Sequence, residues 1–344
     1  MSNSPPRRRR LLRSALVLAL ATLTAAQSCA LDTGPEHDRG AGVAAYPPIA
    51  SGYFRTKAVG GWRSLPGDSR CAALVHRSVW EPRPDNAGPN SRMPKASLVH
   101  AAFAARPRSG GGGYQRTWDT WLLPRVTGHY TGSTDEIIQW AACKWGIADN
   151  VLRAITVRES TWYQYEIYRS GRCVTEWGCG DLVDDATAAT RRYCTAISRR
   201  GQDYQADYAT GICPKTFSIA GVMSWQDPAW GRMEANQNGT FPFNRDSTAF
   251  ALDYLGSYLR GCYEGWEPWL SHAGPVPYEA GDLWGCVGSW YAGEWRTQRA
   301  LDYVHRVREE LRDRPWLEAD WKDVRPPCSS QFGCAGGVPR SPSQ

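Results

Sequence analysis

The sequence predicts a mainly α-helical fold, on three observations. Apolar residues recur at helical spacing through most of the stretch from 133 to 312. Helix-end signals bracket several of those stretches. Alternating or β-branched runs, the mark of strands, are few. The organisation expected is a segment 1–30, an irregular N-terminal arm over 31–127, a helical domain over 128–315 carrying an insertion at 163–216, and a tail over 316–344.

Residues 1–30 read as an export signal. Arg7, Arg8, Arg9 and Arg10 form a basic block, Arg13 follows, and an apolar run extends from Ala15 to Ala26. That run is shorter than the roughly 20 residues a bilayer span needs. The order Arg8-Arg9-Arg10-Leu11-Leu12-Arg13 also resembles a twin-arginine signal, so either general or twin-arginine bacterial export is expected, with the chain secreted or held at the cell envelope. The formal charge of +6 belongs mostly to this segment. Its five arginines removed, 35 basic residues face 34 acidic ones, a net of +1. A near-neutral chain gives no ground for a nucleic-acid partner, and none is expected.

Eleven cysteines behind an export signal read as disulfides. Cys29 stands at the signal's end. It is a candidate lipid-bearing first residue, or it is removed by cleavage after Ala30, and both outcomes leave ten cysteines. Cleavage after Ala26 would instead leave Cys29 free or paired between chains. The arm carries Pro82-Arg83-Pro84, a Gly110–Gly113 run and two apolar patches, Cys71–Val79 and Ala96–Ala105, the second spaced for a short helix. Cys71 is the arm's only cysteine, so if oxidised it ties the arm to a partner further along.

In the helical domain, Ser133 and Glu136 form a capping box, Ile137, Ile138, Ala141, Ala142 and Trp145 make an apolar face, and Gly146 closes the helix. Asp149 or Asn150 caps a second helix, with Val151, Leu152, Ile155 and Val157 facing inward, ending around Arg158-Glu159-Ser160. The insertion holds Cys173, Cys179, Cys194 and Cys213, an even set able to cross-link locally, and a helical stretch from Ala186 to Arg200. Two more helices are expected at Ser247–Leu259 and Arg296–Arg312, the latter placing Leu301, Val304, Val307 and Leu311 on one face and ending before Pro315. In the tail, Cys328 and Cys334 are close enough to pair.

Glu159 is the residue with chemistry to offer. A carboxyl beside apolar and aromatic neighbours loses solvation, which favours its protonated form, and a helix C-terminus pushes the same way. A carboxylic acid that keeps its proton near neutral pH can protonate a glycosidic oxygen. Seventeen tryptophans and sixteen tyrosines suit sugar recognition, because flat rings with a polar edge stack on sugar faces. Trp162, Trp225, Trp290, Tyr291 and Trp295 lie near the motifs. Asp181, Asp184 and Asp185 in the insertion could assist, although an acidic loop is most often simply solvated. There is no His-Glu-x-x-His, no Cys-x-x-Cys, no Gly-x-Ser-x-Gly elbow and no phosphate loop, so no metal or other cofactor is expected. Asn238-Gly239-Thr240 matches a glycosylation sequon, which a bacterial export signal makes irrelevant.

Further blocks follow in order: Ser218-Ile219-Ala220-Gly221-Val222-Met223, then the apolar run Ala249–Leu259, then Gly288-Ser289-Trp290-Tyr291-Ala292-Gly293 before the last helix. With Glu159-Ser160, this series resembles the soluble-lytic-transglycosylase branch of the lysozyme-like superfamily over roughly residues 130–312. That family shows a Glu-Ser after a helix, a Gly-Leu-Met-Gln turn, a helix with a Tyr-Leu pair and an Ala-Tyr-Asn-Ala-Gly block. The chain departs from the pattern at Ser224, where Gln is usual, and at Trp290 and Tyr291, which replace Tyr-Asn; its insertion is also longer. The resemblance implies a lysozyme-like domain acting on peptidoglycan glycan strands as a monomer. Glu159 would be its acid/base, with Ser160, Ser218, Met223, Ser224, Trp290 and Tyr291 binding substrate. It implies cleavage between N-acetylmuramic acid and N-acetylglucosamine with a 1,6-anhydro product. A hydrolytic muramidase on the same fold and an inactive peptidoglycan-binding module are the alternatives.

Overall fold

A computed structural model describes residues 52–105, 116–164, 168–169, 172–173, 182–183, 186–198, 204, 210–224 and 238–322. Residues 1–51, with the expected export signal and Cys29, the Gly110–Gly113 run, Asp181, Asp184, Asp185, Trp225 and the tail beyond 322, with Cys179, Cys328, Cys334 and the side chain of Cys173, lie outside the described residues. All described residues fall in one unit, Val43–Gln344.

Among the described residues seven longer helices carry the fold: α1 (Ala96–Ala105), α2 (Thr134–Trp145), α3 (Asp149–Ser160), α4 (Ala188–Ser198), α5 (Thr248–Tyr263), α6 (Leu283–Ala292) and α7 (Gln298–Asp313). Two short antiparallel hairpins accompany them. Strand β1 (Tyr168–Arg169) pairs with β2 (Arg172–Cys173), and β3 (Thr216–Phe217) pairs with β4 (Val222–Met223), with Thr216 opposite Met223 and Phe217 opposite Val222. Five helices form a closed circuit of contacts: α2 on α3, α3 on α7, α7 on α6, α6 on α5, and α5 back on α2. The fold is mainly helical, as the hydrophobic spacing requires.

Helix α2 begins and ends where the sequence places it. Ser133 Oγ accepts from Glu136 N, the Glu136 carboxylate accepts from Ser133 N, and Gly146 closes the helix in the left-handed conformation. The apolar stripe understates its burial, because all twelve of its residues are buried, Asp135, Glu136, Gln139 and Lys144 included. Those polar groups are partnered. Lys144 Nζ lies 2.7 Å from Asp253 and 2.6 Å from Asp68, and Asp135 lies 2.7 Å from Arg153. Such pairing is what makes a buried charge tolerable.

The arm is less irregular than its composition suggests. Short turns of helix at Asp68–Ala72 and Ala87–Asn90 precede α1, and Cys71, Val75, Trp80, Val99 and Phe103 enter the same core as α2, α3 and α5. Its non-helical backbone N–H groups donate hydrogen bonds to side chains on or at the end of the helices. Tyr53 N and Phe54 N donate to Asp149 at 2.9 and 3.1 Å. Gly60 N donates to Glu264, His76 N to Gln139 and Ser78 N to Glu136, at 2.7, 2.9 and 2.7 Å. This corrects one expectation: Asp149 does not cap α3, whose N-cap is Ala148, but serves the arm and Arg153.

Three further differences have physical reasons. Of the stripe expected on α7, Val304 and Val307 are buried and Leu311 packs on the core, but Leu301 is exposed and Ala300 and Tyr303 complete the inward face. Helix α6 was masked in the sequence by Gly285 and Gly288. A Cβ at 288 would sit 3.0 Å from the Ala300 carbonyl oxygen, so glycine there permits the close approach of α7. The insertion contributes Val183, Tyr193, Ile197 and Tyr204 to a small second core that Phe217 and Phe241, beyond its bounds, complete and that Cys194–Cys213 fastens. The other disulfides among the described residues are Cys71–Cys143 and Cys262–Cys286.

Cys71–Cys143 closes a loop across 72 residues and joins arm to α2. Replacing both cysteines by alanine is expected to lower unfolding free energy by about 2–5 kcal/mol. Denaturant titration checks the value, and limited proteolysis should find new cleavage sites in the arm before any in α2.

Candidate active site

Glu159 stands in the last turn of α3, and the backbone after it bends back sharply. Thr161 (φ 54°) and Trp162 (φ 68°) are both left-handed, a conformation that costs a side-chain-bearing residue roughly 1–2 kcal/mol. Thr161 N donates to Val157 O at 2.8 Å and Trp162 N to Thr156 O at 3.2 Å, closing the helix. The cost is offset by Trp162, which is fully buried, packs against Trp80, Trp316 and Trp321, and donates through Nε1 to Arg153 O at 3.2 Å.

The β3–β4 connection, Ser218–Gly221, lies against this helix end. Gly221 N donates to Ser218 O at 3.0 Å, and Ser218 has φ 85°. Its backbone groups are held by side chains from four directions. Ser160 Oγ donates to Ile219 O at 3.0 Å. Ile219 N donates to Gln164 Oε1 at 3.2 Å. Trp290 Nε1 donates to Ala220 O at 3.1 Å. Asn244 Nδ2 donates to Val222 O at 2.9 Å. Just beyond, Met223 O accepts from Asn238 Nδ2 at 3.0 Å and from Thr240 Oγ1 at 2.9 Å. The turn therefore has one position, and that position puts Gly221 against the Glu159 carboxyl. A Cβ on Gly221 would lie 2.5 Å from Glu159 Oε2, and the residue is left-handed (φ 61°), so both space and backbone require glycine.

Helix α7 supplies the remaining contact. The Tyr303 hydroxyl donates to Glu159 Oε1. Burial, then the neighbouring Glu159 charge, pushes the Tyr303 phenol well above the ordinary tyrosine range, with Arg158 opposing. Tyr303 therefore keeps its proton and acts as a donor throughout the range in which a carboxyl titrates. Its ring stacks on Tyr291, centroids 4.6 Å apart and planes 3° off parallel. Tyr291 is 47% exposed, and the Arg299 guanidinium lies 4.9 Å from its ring. The result is a half-buried carboxyl, oriented by a buried phenol, next to an exposed aromatic ring.

The residues singled out in the sequence divide into two groups. Glu159, Ser160, Ser218, Trp290 and Tyr291 belong to one connected neighbourhood. Within it Ser160, Ser218 and Trp290 serve the turn: Ser160 and Ser218 are buried, and half-buried Trp290 packs on Tyr254 and Tyr258. Ser224 points elsewhere: it is fully buried, and its Oγ accepts from Asn244 Nδ2 at 2.9 Å, so it holds the scaffold and offers no contact surface. Met223 is half-buried, and its carbonyl accepts from Asn238 and Thr240. Trp162 and Trp295 are core residues. Sequence reasoning missed Tyr303, Gln164 and Asn86. Tyr303 had a signal, since it stands one turn before Val307 on the inward face of α7; Gln164 and Asn86 had none.

Comparison with protein-family models, with curated proteins and with solved structures finds no match to this chain.

Gly221→Ala is expected to destabilise the fold by about 1–3 kcal/mol, through the left-handed backbone and the clash with Glu159. Denaturant unfolding measures this, and an alanine tolerated without cost would show that the carboxyl is not held against the turn.

Proposed function

We propose that this chain is an exported peptidoglycan lytic transglycosylase with a lysozyme-like catalytic domain and Glu159 as its single acid/base. One observation carries the reading: the Glu159 carboxyl is fixed between the Tyr303 hydroxyl and the Gly221 turn, beside the exposed ring of Tyr291. The order of the motifs along the chain supports it, as does the mainly helical fold.

The geometry supports distinct roles for the two carboxyl oxygens. Oε1 accepts from Tyr303, which stays protonated, so the acidic proton of a neutral Glu159 resides on Oε2. From there it passes to the glycosidic oxygen as the bond from the N-acetylmuramic acid anomeric carbon to that oxygen breaks. The carboxylate left behind takes the proton of the muramoyl 6-hydroxyl, and that oxygen bonds to the anomeric carbon. The 1,6-anhydro sugar forms, the leaving chain keeps a hydroxyl, Glu159 regains its proton, and no water is consumed. The substrate's own acetamido group stabilises the cation, so one carboxyl suffices. Tyr291 offers a flat face to a sugar ring. No metal or organic cofactor enters this chemistry.

The disulfides agree with an extracytoplasmic location, because such bonds persist in oxidising compartments. Mass spectrometry of the exported protein is expected to find the mature N-terminus at a lipid-modified Cys29 or at Leu31. An uncleaved chain kept in the cytoplasm would remove the export reading.

Incubation with purified sacculi tests the activity. Glycan fragments with 1,6-anhydro ends are expected. Reducing ends would shift the assignment to a hydrolytic muramidase, and binding without cutting to a peptidoglycan-binding module. Glu159→Gln should lower the rate by about 10²–10⁴-fold. Tyr303→Phe, which removes one hydrogen bond to a charged group, should lower kcat by about 10–100-fold. A Glu159→Gln protein that still cuts would eliminate this mechanism.

A further inference from the structure

We propose that the N-terminal arm is a positioning element of the active site, acting through Asn86 and Arg83 on the exit of α3; this inference rests on the acid/base reading of Glu159. Most arm contacts need no such role. The bonds to Asp149, Glu264, Gln139 and Glu136, with Cys71–Cys143, fasten the arm at points along α2, α3 and α5. Asn86 and Arg83 differ in what they hold. Asn86 Nδ2 donates to Trp162 O at 2.7 Å, and Arg83 Nε donates to Thr161 O at 2.8 Å. These are the carbonyls of the two left-handed residues that directly follow Glu159 and Ser160.

Asn86 reaches the opposite wall as well. Its Oδ1 accepts from Gln164 N at 2.8 Å, and Gln164 Oε1 accepts from Ile219 N in the turn that carries Gly221. Gln164 Nε2 donates to Asn244 O and Arg245 O at 2.9 and 3.1 Å. Both walls that bound the Glu159 carboxyl, the α3 exit and the Ser218–Gly221 turn, are thus set by one fully buried arm side chain. Asn86 is itself fixed, donating to Thr134 Oγ1 at 2.9 Å, while Glu81 accepts from Thr134 N and Arg83 N at 2.7 and 2.9 Å. Arg83 is stacked over Trp321 at 4.1 Å and over Tyr163 at 4.8 Å, and its Nη1 donates to Trp321 O. A small displacement at either wall moves the acid relative to its substrate, and misplacement of that kind is costly in rate.

The test compares Asn86→Ala with Glu264→Gln in the full mature protein. Glu264 fastens the arm at Gly60 and orients Arg260, which donates to Lys57 O of the arm, so both variants weaken arm attachment. The readouts are thermal stability, kcat and KM on isolated glycan strands, and titration of the Glu159 carboxyl by carbon NMR. Asn86→Ala is expected to lower kcat by about 10–100-fold with KM little changed, and to move the Glu159 titration. Glu264→Gln is expected to lower stability while leaving kcat and that titration as in the wild type. Equal effects of the two variants, or a Glu159 titration unchanged by Asn86→Ala, would overturn the proposal. If Asn86→Ala does not fold, Arg83→Lys takes its place, since one ammonium cannot serve Thr161 O and Trp321 O as the planar group does. A wild type that cuts no glycan would defeat the proposed function, whereas the Glu159 titration would still decide whether the arm sets the carboxyl.

Discussion

The structure depends on how irregular backbone is satisfied away from water. A buried N–H or carbonyl without a partner costs about as much as a lost hydrogen bond. The arm and the Ser218–Gly221 turn have little regular structure with which to pair. Helices supply the partners through buried polar side chains. Asp253 shows the pattern most fully: its carboxylate accepts from Thr127 N, Gly128 N, Lys144 Nζ and Trp145 Nε1 at 2.7, 2.9, 2.7 and 2.6 Å. A carboxylate that is desolvated but receives several donors and a cation is stable where an isolated one is not. This explains why α2 is polar in part yet buried throughout. Its charged residues face arm and neighbouring helices, where a water-facing stripe would otherwise be expected.

The same constraint builds the site. The turn opposite Glu159 has almost no sheet to fix it, only the two-residue strands β3 and β4. Its rigidity comes from Ser160, Gln164, Asn244 and Trp290, each on a different segment. Because these four converge on consecutive backbone groups, the turn cannot slide without breaking bonds that have no substitute in the interior. Glu159 is then constrained from two sides, by the turn at Oε2 and by Tyr303 at Oε1. A carboxyl with both oxygens placed by protein has lost the side-chain freedom that a surface glutamate keeps, and that loss is incurred on folding, before any substrate arrives.

What was legible in the sequence was local. The Ser133–Glu136 box, the Gly146 stop, the end of α3 and the start of α5 follow from groups within a few residues of one another, and these are where expectation and structure agree, whereas α5 runs on to Tyr263, a turn past the expected Leu259. Glu159 at a helix end was legible for the same reason. What was not legible depends on distant partners. Asp149 has the chemistry of a cap, but Tyr53 and Phe54 compete for its carboxylate from nearly a hundred residues away. Tyr303 reads as one more core aromatic until Glu159 stands next to it. Leu301 and Tyr303 flank the same helix face, and the choice between them rests on what α3 and α6 present, which no periodicity within α7 contains. Asn86 and Gln164 are polar residues in segments without regular pattern, so nothing short of the fold marks them.

The positions where the chain departs from the family pattern it resembles sort by burial, and this bears on specificity. Ser224 is inside, bonded to Asn244, and Trp290 is half inside, holding Ala220 O. Changes at such positions alter how the turn is supported, and the supports here are mutually consistent: Ser224 leaves room for the Asn244 amide, which in turn reaches Val222 O. Tyr291 is the departure that faces outward. It is coupled to the acid by one stacked ring, since Tyr303 touches both Tyr291 and Glu159. Within the acid/base reading, a sugar lying on Tyr291 therefore bears on the same phenol that orients the proton donor. Under that reading recognition and proton placement share a contact, and Tyr291, the outward-facing departure, is the position at which a change of ring would alter both.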